Sequence, residues 1–62
     1  MVMYRTDRIT GKAEIVPAEE VDHTLVLLAD NYYNCSAEEI AELIERGHAL
    51  KTVSYVYSRK PL

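Results

Sequence analysis

The sequence predicts an α+β domain: a small antiparallel sheet, made of an N-terminal hairpin and a C-terminal strand, packed against two helices. Three observations lead there. Extended-favouring residues crowd both ends of the chain, in Val2-Met3-Tyr4 and in Thr52-Val53-Ser54-Tyr55-Val56-Tyr57. Helical apolar spacing fills the middle. The whole is 62 residues long, enough for one domain only.

The first segment, Val2 to Val16, reads as a hairpin whose turn is Thr10-Gly11-Lys12. Pro17 ends it and suits the first position of a helix, where its missing N–H costs nothing. Glu19 and Glu20 then fall in the first turn, where carboxylates interact well with the helix dipole. The helix is expected from about Pro17 to Tyr33, with Val21, Leu25, Leu28, Ala29 and Tyr32 on its buried stripe. Leu25-Val26-Leu27-Leu28 circles the helix, so Leu27 falls opposite that stripe, beside His23 and Asp30, exposed or covered from outside.

Ser36-Ala37-Glu38-Glu39 is a capping box and opens a second helix. Ala37, Ile40, Ala41, Leu43 and Ile44 form its apolar side, Glu38, Glu42 and Glu45 its outer side, and Gly47 its end. The tail from Leu50 to Lys60 fits a strand, with Val53, Tyr55 and Tyr57 on one face; as a helix it would instead align Leu50, Val53 and Tyr57. Its Thr, Val and Tyr content favours the strand.

So short a chain buries only about 60% of its unfolded surface, which leaves it marginal without a staple. A single cysteine removes an internal disulfide. A homodimer or a larger partner is the expected support. No apolar signal region opens the chain, and the longest apolar run, Leu25 to Ala29, is too short for a membrane span. A cytoplasmic setting with Cys35 reduced is therefore expected.

Charge is sorted along the chain. Residues 1–12 carry +2, residues 13–45 carry nine acids and no Lys or Arg, and residues 46–62 carry +4, for a net charge of −3. The acidic block has its own implication. Glu38 and Glu42 stand one helical turn apart and Glu45 nearly another, a row that suits a basic surface on a nucleic-acid-handling protein.

The residues of nucleophile, imidazole or metal chemistry are few. Cys35 precedes the second helix and His48 follows it, so a Cys–His pair is out of reach across about 18 Å of helix rise. Glu19 and His23 supply two possible metal ligands, and no second cluster completes a site. The glycines are isolated, so there is no phosphate loop. No enzymatic activity, cofactor or metal is expected.

The five aromatic residues are all tyrosine, a residue suited to half-buried and interface positions. With Arg5, Arg8 and Arg59, the tyrosines at positions 4, 55 and 57 could also stack single-stranded nucleic acid. Tyr32-Tyr33, Ser36 to Leu43, Thr52-Val53 and Ser58-Arg59 together resemble the helix-turn-helix of sigma-factor region 4. That resemblance covers under half the chain and implies a DNA-binding regulator with a basic reading helix in its tail. Ala41 and Thr52 stand further apart than in that pattern, and the neighbouring acidic block repels phosphate. The favoured expectation is a non-enzymatic protein-binding module, a regulator or inhibitor of the small acidic phage or mobile-element type. Its expected partner-binding residues are Glu38, Glu42, Glu45, Leu27, Tyr55 and Tyr57.

Overall fold

The computed structural model describes all 62 residues. Strands β1 (Tyr4–Asp7) and β2 (Ala13–Ile15) form the N-terminal hairpin. Helix α1 (Ala18–Leu28) continues into a π-helical turn (Ala29–Tyr33), and α2 (Ala37–Glu45) follows. Strands β3 (Leu50–Lys51) and β4 (Tyr55–Ser58) end the chain. All pairings are antiparallel, in the order β2-β1-β4-β3, so the expected α+β class holds.

The first turn closes because Asp7 caps it. Its Oδ1 accepts the N–H groups of Ile9 at 2.8 Å and Thr10 at 3.1 Å, and Gly11 adopts φ 77°. Helix α1 starts one residue later than expected: Pro17, at ψ 141°, is its N-cap rather than its first helical residue. Helix α2 has the capping box, with Ser36 Oγ accepting the Glu39 N–H and Glu39 Oε1 accepting the Ser36 N–H. Its far end is a Schellman motif: His48 N–H donates to the Leu43 carbonyl, Gly47 N–H to the Ile44 carbonyl, and Gly47 takes φ 94°.

The tail corrects the expectation of one strand. It is a second hairpin, turned at Thr52 to Ser54. Thr52 closes the turn on itself, its N–H and Oγ1 both donating to the Tyr55 carbonyl while Oγ1 accepts the Tyr55 N–H. Val53 is thereby carried to the loop tip, 80% exposed, off the face it would share with Tyr55 and Tyr57. Arg8 ties the two hairpin turns together, its N–H donating to the Ser54 carbonyl and its guanidinium to the Thr52 carbonyl.

Register places Met3, Arg5, Glu14, Leu50, Tyr55 and Tyr57 on the sheet face that meets the helices. The core consists of Met3, Val16, Val21, Leu25, Leu28, Ala29, Ile40, Ile44, Leu50 and Tyr57. Tyr4, Thr6, Ala13, Ile15, Lys51, Val56 and Ser58 lie on the opposite face, over which no helix passes.

A chain of 62 residues is expected to hold about 3–9 kcal/mol of stability. Leu28 is fully buried, so Leu28→Ala should cost about 2–5 kcal/mol, a large share of that stability. Ser36→Ala should cost about 1 kcal/mol through the lost cap. Urea denaturation followed by circular dichroism checks both; equal costs would mean that Leu28 is not central to the core.

Candidate functional site: an acidic helical layer

Helix α1, the π turn and α2 contain no Lys or Arg from Ala18 to Glu45. They carry Glu19, Glu20, Asp22, Asp30, Glu38, Glu39, Glu42 and Glu45. Glu39 is used in the capping box and Glu42 pairs with Arg46. The other six are exposed, and their carboxylates bond to no group of the chain. The arginines, by contrast, are occupied. Arg5 binds Glu14 at 2.7 Å, Arg8 holds the Thr52 carbonyl, Arg46 pairs with Glu42, and Arg59 donates to the Glu45 carbonyl. The uncompensated negative charge is therefore concentrated on the helical layer.

The expected carboxylate row does not act as one ladder. At about 100° per residue, Glu38 and Glu45 lie within about 20° of each other on one flank of α2, the flank of Ala37 and Ala41. Glu42 sits over the crest, bound to Arg46 and largely neutralised.

The tyrosine assignments shift more. Tyr57 is only 7% exposed and belongs to the core, so its ring is not offered to a partner. Burial raises its hydroxyl pKa above the ordinary value. Tyr55 is half-buried, 6.1 Å from the Tyr57 ring centroid, with the Arg5 guanidinium 5.2 Å from its own. These contacts set Tyr55 and Arg5 into a packed cluster rather than an open stacking platform. The hydrogen bond from Arg5 to Glu14 in turn raises the pKa of Arg5.

The outward tyrosines are instead Tyr32 and Tyr33, 44% and 38% exposed. Tyr32 was expected on the buried stripe of the first helix. The π turn at Ala29–Tyr33 widens the helix there, so the 3.6-residue spacing no longer applies. The turn ends at Asn34 in the left-handed conformation, φ 49°, the N–H groups of Asn34 and Cys35 both donating to the Ala29 carbonyl. The Tyr33 hydroxyl then reaches the Lys51 carbonyl on β3 at 2.9 Å. Leu27 lies on the outer side of α1, 37% exposed.

Two grooves flank α2. One, of about 350 Å³, is lined by Tyr33, Cys35, Glu39, Glu42, Leu43 and Arg46. Its carboxylates are occupied by the cap and by Arg46. Desolvation raises the Cys35 thiol pKa, with Glu39 adding to the shift, so the thiolate is disfavoured. The other groove, of about 390 Å³, lies between α1 and α2 and has two unoccupied carboxylates on its walls, Asp22 and Glu38. No group of three or more His, Cys, Asp or Glu side chains is placed to hold a metal ion. No helix is long and apolar enough to cross a membrane. No protein-family model, curated protein or solved structure matches the chain.

Tyr57 and Cys35 give a signed pH prediction. Both folded-state pKa values are raised, so each group stabilises the fold fully below its unfolded pKa, and that stability is lost as pH rises. For Tyr57 the loss should begin near pH 10, the ordinary tyrosine range. The thermal midpoint should fall more steeply above pH 10 in wild type than in Tyr57→Phe. Equal slopes would mean that Tyr57 does not contribute. Alkylation of Cys35 by iodoacetamide should be slower at pH 8 than alkylation of the same chain unfolded in urea.

Proposed function

We propose that this chain is a non-enzymatic protein-binding module whose acidic helical layer docks on a basic surface of a larger protein, acting as its regulator or inhibitor. The observation that carries this reading is the six exposed carboxylates, Glu19, Glu20, Asp22, Asp30, Glu38 and Glu45, left without an internal partner on helices that include no Lys or Arg from Ala18 to Glu45. A fold indifferent to this charge would be free to intersperse lysines on the same exposed positions, where they would relieve like-charge repulsion. The layer steers a positively charged partner and repels nucleic acid.

The DNA-binding alternative is less well supported. Its reading helix would lie in the tail, and the tail is the β3–β4 hairpin. Arg59, the arginine of that tail, is directed to the C-terminal end of α2.

A homodimer belongs to the same proposal, as support for a core of ten residues. Two copies of the helical layer repel each other. On the helix-free sheet face Thr6, Val56 and Ser58 are already buried, and the β2 edge leaves Ile15 55% exposed with Lys51 as the face's single charged strand residue, so a second copy would pack along that edge. Sedimentation at tens of micromolar should give twice the monomer mass, and Ile15→Lys should return the monomer. A wild-type monomer at that concentration would remove the dimer and leave the acidic layer untouched.

For the layer itself, the partner captured from the host by the tagged protein should associate more slowly as salt rises, because a Debye length of about 8 Å at physiological ionic strength shortens further. Glu38→Gln and Glu45→Gln should each slow association more than Glu42→Gln, whose carboxylate already faces Arg46. Reversal of Glu38, Glu42 and Glu45 to Lys should abolish binding with the helices retained. Affinity unchanged across salt in the triple reversal, or tight binding of wild type to duplex DNA, would refute the reading.

A further inference from the structure

Helices α1 and α2 leave an opening between them. Ala37 and Ala41 form the α2 wall, and their single methyl groups do not fill the space opposite Leu25 and Val26. Leu25, 7% exposed, forms the floor, while Val26 is left 48% exposed. The result is an apolar groove of about 390 Å³, within the size range of recognition pockets.

Its rim is charged on both sides with one sign. Asp22 stands on the α1 wall and Glu38 on the α2 wall, both exposed and both free of internal partners. Helical spacing sets Glu19 on the flank of Asp22 and Val26, and Glu45 on the flank of Glu38 and Ala41. An apolar trough between two lines of carboxylate is complementary to a segment with apolar residues along one stripe and Lys or Arg on either side of it. Anionic lipid and nucleic acid carry the wrong sign, and so does the helical layer of a second copy.

We propose that the α1–α2 groove is the specificity site of the partner interface and holds the apolar anchors of a basic amphipathic helical segment, its cations meeting Asp22 and Glu38. Apolar anchors one helical turn apart enter between Val26 and Ala41, as in other helix-in-groove recognition. This rests on the acidic layer being the partner surface and adds what that layer reads: apolar anchor spacing, which charge alone does not distinguish.

Two synthetic peptides separate the proposals. One is an amphipathic Leu/Lys helix; the other has the same composition and charge with the apolar stripe scrambled. Titration calorimetry should show the amphipathic peptide binding wild type at least about tenfold tighter than the scrambled one. Its amide shifts should centre on Leu25, Val26, Ala37 and Ala41. Ala41→Leu, which fills the groove at a helix-compatible position, should remove the tenfold preference while binding of the scrambled peptide stays. Val26→Ser, at a half-exposed site, should reduce the preference if Ala41→Leu does not fold. Equal affinity of wild type for both peptides, shifts centred elsewhere, or a preference that survives both variants would overturn the groove and leave the acidic-layer reading standing. Failure of both peptides to bind would overturn the two together.

Discussion

The pairing of β1 with β4 is the contact on which the rest depends. It joins Tyr4 to Ser58 and Asp7 to Tyr55, bringing the two ends of the chain side by side in the middle of the sheet. Closing so long a loop costs conformational entropy, which local contacts cannot offset by themselves. Each hairpin alone is a two-stranded ribbon of marginal stability. Paired, they form one face broad enough to meet both helices, and Met3, Leu50 and Tyr57 enter the core together. The Arg8 bonds to the Thr52 and Ser54 carbonyls hold the turns of the two hairpins at the same end of this pairing.

That closure also sorts the charge. Arginines from the two basic ends of the sequence are drawn into fixed positions: Arg5 on the sheet with Glu14 and Tyr55, Arg8 on the hairpin turns, Arg59 at the end of α2. Of these only Arg5 meets a carboxylate, that of Glu14, while the acids of α1, the π turn and α2 remain on the helices. The chain thus presents a helical layer of nearly pure negative charge and a sheet face nearly without charge.

The π turn is the main departure from simple helical arithmetic. Continuation of α1 by ordinary spacing would carry Tyr32 over the core beside Leu28 and Ala29. The wider turn and the left-handed Asn34 redirect the chain before Ser36, so α2 returns across the sheet and Tyr33 reaches β3. Tyr33 thereby covers part of the exposed edge at Lys51, where unpaired strand groups invite unwanted pairing. The angle at which α2 leaves this corner also fixes how far Ala37 and Ala41 stand from Val26, and with it the groove.

What the sequence determined by itself was local. The capping box at Ser36 and Glu39, the stop at Gly47, the hairpin turn at Gly11 and the apolar stripe from Val21 to Leu28 are each set by residues within a few positions of one another. Their chemistry has few alternative solutions. The acidic block was also legible, because a run from Ala13 to Glu45 without a cation needs no coordinates to see. The tail was legible in type but not in form: its composition favoured a strand over a helix, and only the bonds of Thr52 to the backbone of Tyr55 divide it into two strands. The site was legible in its charge and not in its shape. Whether a tyrosine faces partner or core depends on which strand lies beside it, and Tyr57 is buried because β1, β3 and the helices converge on β4. Glu38, Glu42 and Glu45 look equivalent along the chain, yet the pairing with Arg46 and the packing of α1 against α2 make them unequal. Those outcomes belong to the tertiary structure, since they follow from contacts between residues that are distant in sequence and that no periodicity along the chain encodes.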